Sequence, residues 1–267
     1  MSWAEALLLA VVQGLTEFLP ISSSGHLAAL QHYLSGFGAG DLAYDVLLHA
    51  GTLVSVLAYF RDDLARLARG LIGRGGEVGG SRRLLALLLV STLVTTGVYL
   101  LFGGWIKASF ESLTTIGVMF LVTGSILFST RWGPAGALAA PAMRWRDAAG
   151  IGAAQGLALL PGISRSGSTI AAGLLLGLER DLAVRYSFLL SIPAILGALA
   201  LIAAGEQRLV FDGGALGIYL SGAAVAALVG YGSIHVLLKV VRAGRLGLFA
   251  FYCWALGAGI LLQQTLA

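Results

Sequence analysis

Long apolar runs separated by short polar segments make up most of this chain. Six runs are long enough to cross about 30 Å of hydrocarbon as α-helices. They fall three to each half, at roughly 44 to 60, 84 to 102, 114 to 130, 186 to 204, 215 to 238 and 247 to 265. The runs are rich in Leu, Ala and Gly and lack the period-two alternation of an outer-membrane barrel. The pattern predicts an all-α polytopic membrane protein.

Two further apolar regions, 3 to 35 and 148 to 178, are interrupted near the middle by Pro, Gly and Ser. The pieces on either side of each interruption are too short to cross a bilayer. Irregular backbone at membrane depth is tolerated only where it is buried in protein or lines a wet cavity. We therefore expect two re-entrant helical hairpins whose tips reach toward the membrane midplane. The alternative is a pair of ordinary kinked spanning helices.

The two interruptions belong to an internal repeat. The stretch QGLTEFLPISSSGH, Gln13 to His26, returns 142 positions later as QGLALLPGISRSGS, Gln155 to Ser168. The repeats run over 1–130 and 143–267, within one integral membrane domain of 1–267. Each half is then a re-entrant hairpin plus three transmembrane helices. Because three is an odd number, the second half must insert upside down relative to the first, and the hairpin tips meet at a pseudo-two-fold axis.

Composition and charge agree with a membrane protein. The chain is 58% hydrophobic and 11% charged, with a mean hydropathy of +0.89. The formal net charge of +4 does not indicate a nucleic-acid partner, because 14 of the 17 Lys and Arg residues fall in four connections that would share one membrane face. By the positive-inside rule these connections are cytoplasmic. They are the loops 61–83, 131–147, 179–185 and 239–245.

The two hairpin tips carry the candidate chemistry. In each tip a glycine-serine turn precedes a helical piece, so free backbone amides and a positive helix end face the cavity. Arg165 adds a planar cation suited to phosphate, and a charge at this depth is by default functional. The competing explanations are that the serines only cap helices and that Arg165 only forms a salt bridge to Glu17.

Three other residues of the first tip could take part. Gln13 and Glu17 lie four positions apart, on one helical face, and could hold a hard divalent cation, Mg²⁺ or Ca²⁺, that also coordinates diphosphate. His26 follows the turn and could act as a general base, a general acid or a nucleophile. We assign His49, Asp45 and His235 to packing or interfaces, and the single cysteine, Cys253, allows no internal disulfide.

The motifs LTEFLPISSSGH, Leu15 to His26, and PGISRSGST, Pro161 to Thr169, resemble the two signature motifs of the undecaprenyl-diphosphate phosphatase family, also called the bacitracin-resistance protein family. The resemblance covers the whole chain. It implies that Glu17 is the essential acidic residue and that Ser23 is the family's proposed nucleophile. The metal that we expect from the residues would be held by Glu17 together with substrate phosphates. His26 is then the family's catalytic histidine. Gln13 occupies the first position of the family's glutamate pair, a substitution that the family pattern admits, and this argues against a metal held by two carboxylates.

By the same resemblance Arg165 holds the substrate phosphates. The substrate-binding set then consists of Arg165 with Gln13, Ser22, Ser24, Gly25, Ser164, Ser166, Gly167 and Thr169.

The resemblance implies hydrolysis of a polyprenyl diphosphate, undecaprenyl diphosphate, to undecaprenyl phosphate and inorganic phosphate in the bacterial inner membrane. This reaction recycles the cell-wall lipid carrier and confers bacitracin resistance. The alternative is a transporter of polyprenyl phosphate or of a small anion, because inverted repeats with broken helices are also a transporter architecture. The nucleophile stays open between Ser23, His26 and water. The sequence also leaves a homodimer open.

Overall fold

The computed structural model describes residues 1–33, 42–73, 78–134, 136, 138–204 and 216–266. Within these ranges the chain forms helices and no β-strand. The α-helices are α1 (Trp3–Phe18), α2 (Ser23–Tyr33), α3 (Leu42–Tyr59), α4 (Arg61–Leu71), α5 (Val78–Ser109), α6 (Leu113–Ser129), α7 (Trp145–Leu157), α8 (Arg165–Leu175), α9 (Arg180–Ala204), α10 (Leu216–Arg242) and α11 (Leu248–Leu266). Two single-turn 3-10 helices, Thr130–Trp132 and Ala140–Ala142, lie between α6 and α7.

Several helices have the length and composition of membrane spans. The helices α5, α9, α10 and α11 are each long and apolar enough to cross a bilayer, and so is α6 together with the 3-10 helix that continues it to Trp132. In contrast, α3 qualifies only together with α4. Those two helices are bent by 73° where they meet. All six predicted runs therefore form helices, and the prediction of an all-helical protein with several membrane-length helices is confirmed.

The two predicted interruptions are also present. The first separates α1 from α2 and the second separates α7 from α8. The four helices have 16, 11, 13 and 11 residues. At 1.5 Å per residue each is about 16 to 24 Å long, which is shorter than the hydrocarbon layer. The helices α2 (Ser23–Tyr33) and α8 (Arg165–Leu175) begin and end at positions that are 142 residues apart, the spacing of the repeat.

The segments that the sequence analysis treated as loops contain more helix than expected. The stretch 61–83 holds α4 and the first residues of α5, α9 already begins at Arg180, and α10 continues to Arg242. In α4 the leucines Leu64, Leu67 and Leu71 recur at a spacing of three or four, which gives the helix one apolar face despite its charges. The basic segments thus contain helix where loops were expected, and their position on one membrane face stays a prediction.

Helices of one repeat pack against helices of the other. The helix α1 packs on α10, α7 packs on α5, and α6 packs on α11. Glycine permits the close approach at equivalent positions: a Cβ at Gly14 would lie 2.9 Å from the carbonyl oxygen of Ala226, and one at Gly156 would lie 2.7 Å from Val98 Cγ2. This packing holds the last turn of α1 beside the start of α8.

Candidate active site

Glu17 lies at the centre of the polar cluster formed by the two motifs. It sits in the last turn of α1, and its side chain is 7% exposed. The next residue, Phe18, is fully buried, and its ring meets that of Phe188 edge-on at 5.5 Å between centroids. The aromatic contact fixes the end of α1. The Glu17 carboxylate is consequently held at the edge of the main hydrophobic core.

The first motif supplies two donors to this carboxylate. Ser23, the first residue of α2, donates its hydroxyl to Glu17 Oε2 at 2.5 Å. Gln13 Nε2 donates to the same oxygen at 3.2 Å, as expected for residues one helical turn apart. Gln13 Oε1 is buried and has no hydrogen-bond partner in the described part of the chain. A carboxylate in contact with a serine hydroxyl can remove the proton from that hydroxyl.

The second motif contributes the opposite charge. Arg165 Nη2 donates to Glu17 Oε1 at 2.7 Å, and the arginine side chain is 15% exposed. The other terminal nitrogen, Nη1, is buried without a partner among the described residues. An unpaired guanidinium N–H in a protein interior is costly. The salt bridge between Arg165 and Glu17, given above as the competing explanation for the arginine, is therefore present. It still leaves Nη1 of Arg165 able to donate to a ligand.

Both turns use the same hydrogen bonds. The Ser22 hydroxyl accepts from the Gly25 amide at 3.3 Å, and the Ser164 hydroxyl accepts from the Gly167 amide at 3.0 Å. Ser22 takes a left-handed conformation at φ 67°, which a non-glycine residue seldom adopts. Ser22 and Ser164 thus act as helix caps, which matches the capping alternative for these two serines.

The remaining polar residues of the motifs have separate partners. The Ser24 hydroxyl lies 3.3 Å from that of Ser22, and the Ser166 hydroxyl donates to the Leu19 carbonyl across the two tips at 3.3 Å. Thr169 Oγ1 donates to the Arg165 carbonyl at 2.8 Å. These bonds fix the backbone around the two helix starts.

The two tips touch directly. A Cβ at Gly25 would lie 2.9 Å from the Gly162 backbone and 2.7 Å from the Phe120 ring. Gly162 itself has φ +94°, where an L-residue would be strained. Thr123 of α6 ties the second tip in place, because its hydroxyl donates to Gly162 O at 2.7 Å and accepts from Ser164 N at 3.1 Å. The starts of α2 and α8 are therefore neighbours.

His26 is not bonded to Ser23. Its Nδ1 donates to the Ser22 carbonyl at 2.7 Å, and its Nε2 lies 2.7 Å from the Tyr252 hydroxyl. The ring stacks on that of Tyr252 with 5.7 Å between centroids. Since a carbonyl can only accept, Nδ1 carries a proton, and a neutral Nε2 accepts from the tyrosine. In this arrangement Glu17, rather than His26, is in position to act on the Ser23 hydroxyl.

Two further residues border the site. Tyr252 lies on α11, outside both motifs, and no sequence pattern identified it. His49 was predicted to be a packing or interface residue, and its Nε2 lies 4.0 Å from Glu17 Oε2 while its Nδ1 donates to the Asp45 carbonyl at 2.8 Å. Its position in an apolar helix that would cross the membrane was the available signal, because buried polar side chains in such helices need a partner.

The donor set bears on the expected divalent cation. Among the described residues no group of three or more His, Cys, Asp and Glu side chains could hold a metal ion. Glu17 and the unpartnered Gln13 Oε1 offer two hard oxygens on one helical face. Mg²⁺ is often held by one or two such oxygens together with substrate phosphates and water. The residues thus fit a cation that arrives with a diphosphate and do not form a complete protein cage.

Comparison with known proteins gives a uniform result. Residues 6–259 match the family described as Bacitracin resistance protein BacA. A protein of Syntrophotalea carbinolica that is named undecaprenyl-diphosphatase is 44% identical to this chain, over 96% of this chain and 97% of the relative. The protein of the same name in Desulfosudis oleivorans is 46% identical over 95% of both chains. The one in Desulfatibacillum aliphaticivorans is 40% identical over 99% of both chains. The similarity spans both motifs and nearly every helix, so this chain belongs to the Bacitracin resistance protein BacA family.

Proposed function

We propose that the protein hydrolyses undecaprenyl diphosphate to undecaprenyl phosphate and inorganic phosphate. The observation that carries the proposal is the contact of one carboxylate, Glu17, with both a serine hydroxyl and an intramembrane arginine. The nucleophile and the phosphate-binding cation are thereby each one hydrogen bond away from the base, Glu17. Relatives named undecaprenyl-diphosphatase align with nearly the whole of this chain, which supports the proposal.

The diphosphate is held where the two tips meet. Arg165 directs its unpartnered Nη1 to a phosphate oxygen, and a guanidinium can also bind two oxygens side by side. The amides at the starts of α2 and α8 add positive helix ends, a favourable setting for an anion. The residues that surround this position are those of the substrate-binding set: Gln13, Ser22, Ser24, Gly25, Ser164, Ser166, Gly167 and Thr169.

The reaction proceeds through two displacements at the terminal phosphorus. Ser23 Oγ attacks that phosphorus while Glu17 takes the hydroxyl proton, the bond to the bridging oxygen breaks, and undecaprenyl phosphate leaves. Glu17 passes that proton to the departing undecaprenyl phosphate. Water then attacks the phosphoserine while Glu17 takes a proton from the water and returns it to Ser23 Oγ, the bond between phosphorus and Ser23 Oγ breaks, and inorganic phosphate leaves. Arg165 stabilises the charge on the phosphoryl oxygens throughout. His26, bonded to Ser22 and Tyr252, positions the turn that carries Ser23.

A divalent cation bound with the substrate would complete the site. Glu17 and Gln13 Oε1 are the residues that would hold it, and Mg²⁺ is the ion that this oxygen-only donor set would suit best. Its contribution when bound is to neutralise charge on the phosphates and to polarise the phosphoryl group.

The site is placed in the membrane by an inverted repeat. Four helices, α1, α2, α7 and α8, are too short to span and form two re-entrant hairpins, one entering from each side. The packing of α1 on α10 is repeated by that of α7 on α5, which supports two halves related by a pseudo-two-fold axis. The basic connections 61–83, 131–147, 179–185 and 239–245 face the cytoplasm of a bacterial inner membrane. A homodimer stays a prediction.

Release of phosphate tests the proposal. Purified full-length protein in detergent is given undecaprenyl diphosphate and Mg²⁺, with the Ser23→Ala variant as the matched control. We expect phosphate from the wild type and about a thousandfold less from the variant. A folded wild-type protein that releases no phosphate, while moving polyprenyl phosphate or a small anion across vesicles, would establish the transporter instead.

A further inference from the structure

A second polar site lies outside the motifs. A cavity of about 690 Å³ opens between α4, the first turns of α5 and α9, and the connection that contains Pro141. Three arginines line it, Arg66, Arg83 and Arg185, together with Asp63. None of the proposed catalytic or substrate-binding residues is among the lining residues. The cavity is therefore separate from the candidate active site.

The arginines are held in place by a single carboxylate and one carbonyl. Asp63 accepts from Arg66 at 2.5 Å and from Arg185 at 3.1 Å, and Arg83 donates to the Met143 carbonyl at 2.8 Å. Three guanidinium groups against one carboxylate leave the cavity positively charged. The side chains of Arg66 and Arg185 are 55% and 43% exposed, so these cations are accessible from outside. The charge of this cavity suits an anion.

Apolar side chains form the rest of the wall. Leu67 and Leu84 contribute from α4 and α5, and Leu182 and Leu189 contribute from α9. The helices α5 and α9 are both candidate membrane spans, and the cavity lies at their amino-terminal ends. The ends of spans are at the level of the lipid headgroups. The neighbouring α4 is amphipathic and ends in the exposed apolar residues Leu71 and Ile72, as expected of a helix lying in the membrane surface.

We propose that this cavity binds the phosphate of an anionic phospholipid, with the acyl chains lying along the leucines. Arginine suits the phosphate because its planar fork donates two hydrogen bonds in parallel. A free phosphate ion would use the arginines but gain nothing from the apolar wall. Basic pockets between membrane helices are a known form of headgroup recognition. The site would fasten α4 to α5 and α9 at the membrane surface.

Binding of one lipid molecule is the direct test. Purified full-length protein in a neutral detergent is titrated with short-chain phosphatidylglycerol, and native mass spectrometry counts the lipid retained. We expect one tightly bound phosphatidylglycerol, weaker retention of phosphatidylcholine, and about tenfold weaker binding by Arg185→Gln or Arg83→Gln. The charge-matched controls are Arg61→Gln and Arg146→Gln, whose side chains are 80% and 74% exposed. They should bind within about twofold of the wild type, since they lie outside the cavity.

A variant that keeps all charges tests the cavity even if the arginine variants fail to fold. Gly80 lines the cavity, and a Cβ placed on it has no atom within 4 Å. The helix should therefore accept Gly80→Leu, and the bulkier side chain in the cavity wall should lower lipid retention about tenfold. Phosphatase activity in detergent should change less than twofold in all these variants, which separates this site from the active site.

Three outcomes overturn the proposal. Equal weakening by the cavity variants and the exposed controls would show only general charge attraction. Undiminished lipid retention by Gly80→Leu would place the lipid elsewhere. Inorganic phosphate that competes with phosphatidylglycerol at similar concentration would identify a site for free phosphate rather than for a lipid.

Discussion

Glu17 and Arg165 form an ion pair across 148 positions, with Arg165 Nη2 at 2.7 Å from Glu17 Oε1. The pair joins the end of α1 to the first residue of α8 and so connects the two repeats. Both side chains are largely buried, so loss of either charge would leave the other uncompensated at a cost of about 3–5 kcal/mol. A diphosphate would compete with Glu17 for the arginine. The same pair thus joins the two repeats and positions the arginine for its proposed contact with phosphate.

Arg165→Lys should reduce kcat/KM about a hundredfold while the protein still folds. The ammonium keeps the charge beside Glu17 but cannot reproduce the planar two-point contact with phosphate. Steady-state kinetics in detergent measure the loss, and unchanged circular dichroism and thermal midpoint serve as controls. Near-normal turnover at saturating substrate would contradict this role for Arg165.

Ser23→Ala should reduce kcat at least about a thousandfold with little change in KM, because the hydroxyl acts mainly in the transition state. Ser24→Ala is the matched control, since Ser24 Oγ bonds Ser22 and not Glu17, and it should lose far less. Rapid quenching with labelled diphosphate identifies the nucleophile. An acid-stable label on the protein indicates phosphoserine, whereas an acid-labile one would indicate attack by His26. The absence of label at every quench time would favour direct attack by water.

Tyr252→Phe should lower kcat about tenfold, because it removes one hydrogen bond to His26 Nε2. If the tyrosine acts through the histidine, the two variants should not be additive. A double-mutant cycle of Tyr252→Phe and His26→Ala then gives nearly the same kcat for the double variant as for His26→Ala alone. If the double variant instead loses kcat by the product of the two single-variant factors, Tyr252 acts independently of His26.

Gln13→Glu should lower the Mg²⁺ concentration needed for half-maximal activity about tenfold, because a second carboxylate would stand one helical turn from Glu17. Gln13→Leu should raise that concentration, since it removes the unpartnered Oε1. Activity measured against Mg²⁺ at saturating substrate gives both values. Identical Mg²⁺ dependence in the three proteins would contradict a metal role for Gln13.

Gly156→Ala should lower the thermal midpoint of unfolding by several degrees, because the added Cβ would meet Val98 at 2.7 Å and force α7 away from α5. Gly97→Ala is the matched control. It lies on α5 with no atom within 4 Å of the added Cβ, so the helix gains propensity without a clash. A loss as large in Gly97→Ala would show that the close approach of Gly156 is not the cause.

Local sequence patterns were enough to predict the helical class, the internal repeat, the two breaks and the position of the basic segments along the chain. These features depend on local patterns: apolar length, the Pro, Gly and Ser residues that end helices, and the positions of charges along the chain. The bounds of α2 and α8 agree at the repeat spacing for this reason. The motif residues Glu17, Ser23, His26 and Arg165 were also identified from sequence, although their roles stay predictions.

The contacts among these residues depend on the tertiary structure. Arg165 reaches Glu17 across 148 positions, His26 reaches Tyr252 across 226, and Arg185 reaches Asp63 across 122. Such contacts depend on how helices from the two repeats pack, and a linear pattern does not encode the direction of a side chain in a distant helix. Because of this packing His26 contacts Tyr252 instead of Ser23. The same packing places His49 near Glu17 and forms the arginine cavity between three helices and a connection.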